Sequence, residues 1–202
     1  MVKYNMSSDV FEKLIEYFLK FPGIGPRQAK RFAYFLASQD KNFTEDLSEE
    51  ILDIKNKIKQ CPSCFRFYGD AGTECTICSS LNRDKSLLTI VEKDVDLENI
   101  ERAGIYNGKY FVLGGVMILG GGGKENGLRF KQLFDKTNNE KPREIILALS
   151  ANVEGENTGR YIEKILEPLK IKISKLGRGL STGTELEYSD SETIKNALEG
   201  RK

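Results

Sequence analysis

Two short hooks, Cys61-Pro62-Ser63-Cys64 and, ten residues further on, Cys75-Thr76-Ile77-Cys78, hold every cysteine of this 202-residue chain. A C-x2-C hook turns two thiolates toward one point, and two such hooks a short loop apart supply the four sulfurs of a closed tetrahedral zinc site. Two disulfides or four unrelated thiols would use the same residues. Met1 to Met6, however, runs at once into a charged helical stretch instead of the apolar core of a signal peptide, so a reducing compartment is expected. Four thiolates leave no open position for water, and the chain has no histidine, so the expectation is one structural zinc per chain. A loop of about twenty residues buries too little apolar surface to fold unaided, and the metal supplies its folding energy. Phe65, Phe67 and Tyr68 are expected to pack over it.

The length allows one generous domain or two small ones, with the cysteine loop marking the boundary. Lys and Arg number 31 against 30 Asp and Glu, a net charge of +1. That balance excludes a nucleic-acid binder working through its whole surface; a DNA contact must be local, or multiplied by assembling several copies. No apolar run approaches the ~20 residues of a membrane span, and a soluble cytoplasmic protein is expected.

Ahead of the cysteines, Ser8 or Asp9 caps a helix with Phe11, Leu14, Ile15, Phe18 and Leu19 on one face. It stops at Phe21-Pro22-Gly23, and Pro26 opens a second helix that carries Ala29, Phe32, Ala33 and Leu36 inward. The turn between them, Gly23-Ile24-Gly25, can leave backbone N–H groups pointing outward beside a helix N-terminus, a cradle for an anion such as a DNA phosphate. Arg27, Lys30 and Arg31 follow on the first turns, with Arg27 and Arg31 on a shared face. A plain helical hairpin with a solvated basic face would use the same residues, but the string P-G-I-G-P-R-x-A-x-R-x-A resembles the helix-hairpin-helix DNA-binding motif, which grips phosphate and reads little sequence. A third helix is expected from about Glu45 to Gln60, closing a small bundle with Leu47, Ile51, Ile54 and Ile58 as its buried stripe.

After Arg83 short β-branched runs alternate with helical stretches, the pattern of a mainly parallel sheet covered by helices. Strands are expected at Leu87 to Val91, Tyr110 to Leu113, Glu144 to Leu149 and Lys170 to Ile173. Helices are expected at Asp94 to Ala103, Gly127 to Phe134, from the loop after Leu149 to about Leu166, and between Asp190 and Gly200. In such sheets the working residues collect at the carboxyl ends of strands. Glu92, Glu154 and Glu156 stand at such ends, and the constellation resembles the Toprim domain of topoisomerases and primases. The two aspartate positions that hold magnesium there correspond to Ser150 and Asn152 here, so the paired carboxylates for a hard divalent ion are gone. Glu154 and Glu156 equally suit the N-terminus of the helix they open. Gly120 to Gly123 lacks the Gly-Lys-Ser/Thr of a phosphate loop and reads as a plain flexible loop.

Taken in order, the hairpin, the cysteine loop, the Toprim-like half and the tail Arg178-Gly179-Leu180 to Glu185-Leu186-Glu187-Tyr188 resemble the bacterial recombination mediator family RecR. Further marks are Ile100-Glu101-Arg102-Ala103-Gly104, Val112-Leu113-Gly114-Gly115 and Val153-Glu154-Gly155-Glu156. The expected architecture is a multi-domain α+β and α/β chain. Its parts are a helix-hairpin-helix bundle over 1–60, a four-cysteine zinc finger over 61–80, a Toprim-like domain over 81–173 and an oligomerisation segment over 174–202. The resemblance implies a non-enzymatic protein of DNA repair that forms a ring-like homotetramer and works with RecO, and in some settings RecF. It would load RecA onto single-stranded DNA coated by single-strand binding protein, at the nucleoid. It also implies Arg27 and Arg31 as DNA contacts, with Lys30 and the Gly23-Ile24-Gly25 turn beside them, and Glu92, Asp96, Glu154 and Glu156 as contacts for RecO. Against this stand an active magnesium-dependent Toprim enzyme that cuts or primes DNA, and a scaffold that binds proteins alone.

Overall fold

The structure is a computed structural model that describes residues 9–118, 127–180, 183 and 185–201. The glycine run Gly120 to Gly123, Ser8 and Ser181 lie outside the described residues. The chain divides into two compact units, Met1–Ile58 and Lys59–Lys202, so that the cysteine loop belongs to the second.

In the first unit α1 (Asp9–Leu19) and α2 (Pro26–Ser38) pack as a hairpin. Pro26 opens α2 because its missing N–H and fixed φ suit the first helical position. Ala29 and Ala33 are fully buried where the two helices approach, and Phe18 stacks edge-on against Phe32 with ring centres 5.5 Å apart. The third helix, α3 (Lys41–Lys57), starts four residues before the expected Glu45, because the Asp40 side chain accepts the Phe43 N–H at 2.8 Å and caps it. Its expected buried stripe is not buried: Ile51 is 57% exposed and Ile54 56%. Instead α1, α2 and α3 border an open apolar groove of about 610 Å³, with Leu14, Phe18, Leu36, Leu47 and Ile51 on its walls. An amphipathic pattern shows which face seeks burial, not that the same unit supplies the cover.

The second unit opens with a two-residue antiparallel ladder, β1 (Lys59–Gln60) with β2 (Phe67–Tyr68), around the first cysteine hook. This ladder ends the helix reading at Lys57, three residues short of the expected Gln60. A single helical turn, α4 (Thr76–Ser79), carries the second hook. Then follow β3 (Asp84–Val91), α5 (Asp94–Ala103), β4 (Gly108–Val112), α6 (Phe130–Glu140), β5 (Glu144–Ala148), α7 (Val153–Leu166), β6 (Lys172–Lys175) and α8 (Ser191–Glu199). The four long strands form one parallel sheet in the order β4-β3-β5-β6.

Both faces of this sheet are covered, as parallel sheets require. Leu88, Ile90, Phe111, Leu113, Ile145 and Leu147 pack against Phe130 and Leu133 of α6 and Ile162 and Leu166 of α7. The alternate residues Val91, Tyr110, Val112 and Ala148 pack against Leu97 of α5 and against Cys61, Cys64, Tyr68, Cys75 and Ile77. The cysteine loop is thus half of one core layer. Tyr68 and Phe65 sit in that layer, whereas Phe67 is 56% exposed, because successive residues of β2 face opposite ways.

Behind the loop Arg83 makes a two-pronged ion pair with Glu101, and the Tyr110 hydroxyl donates to Glu101 Oε1 at 2.7 Å. The guanidinium holds the Glu101 carboxyl below its ordinary range. A depressed carboxylate stabilises the fold above its unfolded pKa and loses that contribution as pH falls through the folded value. Glu101→Gln is therefore expected to lower the melting temperature near neutrality and to flatten its decline below about pH 4, the ordinary carboxylate range. Parallel acid profiles of parent and variant would contradict this.

Candidate functional site

The hairpin turn of the first unit is built by local rules. α1 unwinds through Lys20 N–H to Tyr17 O and Phe21 N–H to Phe18 O, each 3.1 Å. Gly23 then takes φ +76°, a left-handed value that favours glycine, and Ile24 N–H closes back on Phe21 O at 3.2 Å. Gly25 is the N-cap of α2 with φ −91° and ψ 172°, and no side chain caps the helix. The first-turn N–H groups of α2 are therefore left for an outside acceptor. Ile24 is half-buried, while Arg27, Lys30 and Arg31 are exposed on the same end of the helix. Arg31 donates to its neighbour Gln28 Oε1 at 3.5 Å. The turn and the three cations thus form one basic, donor-rich corner, with an N-terminal dipole behind it.

In the second unit the four cysteine sulfurs lie within 4.8 Å of one another, the one group of three or more possible ligands so gathered among the described residues. Cys64 and Cys75 Sγ are 3.6 Å apart. That separation is far beyond a disulfide and close to the about 3.8 Å edge of a tetrahedron with metal–sulfur bonds near 2.3 Å. Cys61, Cys64 and Cys75 are fully buried and Cys78 partly so. Hydrogen bonding with Cys75 and Cys78, together with burial, pushes the Cys64 thiol up, while hydrogen bonding with Cys64 and Cys78 holds Cys75 down. Such a cluster cannot carry four thiolates without a cation at its centre. The residues present therefore fit a metal ion with closed, all-sulfur coordination.

The cluster is locked to the sheet. Val112 N–H donates to Cys64 O at 2.8 Å, Phe67 N–H to the Asp94 carboxylate at 2.7 Å, and Arg129 lies over the Phe65 ring 5.2 Å from its centre. Phe65 itself adopts φ +65°, unusual for a bulky residue and imposed by the hook.

At the carboxyl ends of β3 and β5 stands the third set. Glu92 is buried, and its Oε1 accepts the Ser150 N–H at 2.5 Å. Asp96 accepts the Lys93 N–H at the start of α5. Asn152 caps α7 by accepting the Gly155 N–H at 2.8 Å. Glu156 pairs with Arg178, which holds its carboxyl below the ordinary range, and Glu154 is half-buried on the first turn of α7. Of these acids Glu156 alone lines a cavity of about 190 Å³, walled also by Leu149, Ser150, Gly155 and Arg178. No sequence signal marks the Arg178–Glu156 pair: Arg178 belongs to the tail motif and its partner lies 22 residues upstream.

Comparison with known proteins accounts for the hairpin, the sheet and the tail. Residues 11–55 match the family described as "RecR, helix-hairpin-helix", residues 86–177 the Toprim domain, and residues 179–202 "RecR, C-terminal". "Recombination protein RecR" of Chloroherpeton thalassium is 39% identical over 199 residues, covering 96% of this chain and 97% of the relative. The protein of the same name from Dehalococcoides mccartyi strain ATCC BAA-2266 is 39% identical over 191 residues, covering 94% and 92%, and that of Lactobacillus helveticus is 38% identical over 193, covering 93% and 94%. With a basic hairpin, a four-cysteine cluster and a Toprim sheet joined in that order and matched along nearly its whole length, the chain belongs to the RecR family of recombination proteins.

Proposed function

We propose that this protein is a non-enzymatic recombination mediator of the cytoplasm and nucleoid that grips the DNA backbone and, with RecO and in some settings RecF, loads RecA onto single-stranded DNA. The observation that carries the DNA reading is Gly25. Its φ is open to any residue, and a Cβ built there would meet nothing within 4 Å, so neither backbone nor packing calls for glycine. Smallness at that point, between outward N–H groups and Arg27, serves the close approach of something outside the chain, and a phosphate is what that corner would attract.

DNA contacts are assigned to Arg27, Lys30, Arg31 and the Gly23-Ile24-Gly25 turn. One such corner neutralises few phosphates, so useful affinity needs repetition in a ring-like homotetramer. The open apolar groove of the first unit, with Leu47 and Ile51 unburied, supports self-association. One structural zinc per chain occupies the cysteine cluster and fixes the loop that completes the core. Asp96, Glu154 and Glu156 offer carboxylates to RecO, with the buried Glu92 shaping that face from beneath. Magnesium chemistry lacks its clamp: Ser150 and Asn152 replace the paired acids, Asn152 is spent as a helix cap, and Glu92 is committed to a backbone N–H.

Arg27→Ala with Arg31→Ala is expected to abolish binding of a fluorescent single-stranded oligonucleotide without changing zinc content or assembled mass. Gly25→Ala is expected to weaken the same binding with an unchanged melting temperature. Undiminished anisotropy titrations for the double variant would refute the hairpin assignment.

A further inference from the structure

Lys109 is the second residue of β4, an edge strand of the sheet, and its side chain ends under the cysteine loop. The residue is 8% exposed, and its ammonium donates to the carbonyl oxygens of Ile77 at 2.7 Å, Cys78 at 2.8 Å and Ser80 at 3.1 Å. Those bonds occupy all three of its protons, but every acceptor is neutral. Among the described residues no carboxylate lies within 4.0 Å of this nitrogen. Buried charges are kept only where an opposite charge is close. A second lysine approaches the other hook: Lys136 of α6, its side chain 10% exposed, donates to Ser63 Oγ at 3.0 Å and also pairs with Glu140.

Each cysteine hook is therefore met by one ammonium from the sheet unit. Four thiolates around one divalent cation form a dianion, a counter-charge on the very hook whose carbonyls Lys109 grips. Glu74 and Glu140 share the neighbouring cavity with Lys85 and Lys136, and neither carboxylate pairs with Lys109. We infer that Lys109, assisted by Lys136, is the charge-compensating positioning residue of the four-cysteine centre, holding the second hook closed and slowing loss of its metal. The inference rests on the zinc reading above. It assigns these lysines to metal retention, apart from any contact with DNA. Hydrogen-bonded partners behind metal ligands govern affinity about as strongly as some ligands do, typically 10- to 100-fold.

The test uses the full chain as purified, with zinc measured by elemental analysis and its release followed by a colorimetric chelator. Lys109→Met is expected to release zinc at least about tenfold faster than the parent, in line with that range. Lys109→Arg, which keeps the charge and the donors, restores most of the retention. Cobalt-substituted Lys109→Met shows shifted thiolate-to-cobalt bands, a readout that loss of packing alone would leave in place. Lys136→Met gives a smaller acceleration and stands in if Lys109→Met does not fold. Release and cobalt bands that match the parent overturn the inference, even if the variant melts lower, since Lys109 would then only support the fold. A parent chain that binds no divalent ion instead overturns the cysteine reading itself, and this inference with it.

Discussion

Cys64→Ser is expected to collapse the sheet unit, not merely the loop that carries it. Cys64 is fully buried, its carbonyl accepts the Val112 N–H, and the layer it shares with Cys61, Tyr68, Cys75 and Ile77 covers Val91, Tyr110, Val112 and Ala148. A serine at this point weakens the site's hold on a metal, and the apparent metal free energy of such sites, about 10–16 kcal/mol in small zinc peptides, matches or exceeds the about 5–15 kcal/mol net stability of a typical domain. Loss of the metal would also uncover one face of a sheet that is parallel throughout and tolerates no wet face. Hydrogen exchange is the suited measurement: amides of β3, β4 and β5 should lose most of their protection in Cys64→Ser, and in the parent after strong chelation. Protection lost only between Lys59 and Ser80 would show that the loop is an appendage and that the sheet stands without it.

The features legible in the sequence were those set by neighbours in the chain. Pro26 at a helix start, Asp190 capping α8, Gly200 ending it and the β-branched run of β3 each act within a few residues, and the structure has them where local chemistry puts them. The start of α3 is equally local, since Asp40 is a good cap, but the regular apolar stripe begins only at Leu47 and by itself places the helix start too late. Helix α6 runs to Glu140, well beyond the expected Phe134, through the weak formers Thr137, Asn138 and Asn139; Thr137 is fully buried in that turn, which no local propensity announces. The two-residue ladder of β1 and β2 and the exposure of Phe67 follow from pairing across the first hook. For the site, spacing alone gathered the four cysteines and the basic corner. Arg178 on Glu156 joins residues 22 positions apart, and Lys109 meets backbone carbonyls about thirty residues upstream, partners without side-chain identity to betray them.

Two glycines of α7 should answer alanine with opposite signs. On helix propensity alone, replacing either Gly155 or Gly159 by alanine should stabilise the protein by up to about 1 kcal/mol. At Gly159 an added Cβ would meet Leu147 Cδ1 at 3.7 Å and Leu149 Cδ1 at 3.8 Å, ordinary contacts inside the core, so propensity should win and the melting temperature should hold or rise. At Gly155 the Cβ would stand 2.1 Å from the Ser150 carbonyl oxygen and 3.0 Å from its carbon, atoms of backbone that cannot swing aside as a side chain would. Either α7 must lift from β5 or the 150–152 loop must move, and the Ser150 N–H would leave the buried Glu92 carboxylate that accepts it. Overpacking of this kind costs about 1–3 kcal/mol before the lost hydrogen bond is counted, which in a chain of this size is a fall of several degrees. Gly155→Ala should therefore melt clearly below the parent while Gly159→Ala does not. If both rise together, the glycine in Val153-Glu154-Gly155-Glu156 is not there for the close approach of the Ser150 carbonyl, and the carboxyl end of the sheet is looser than its hydrogen bonds imply.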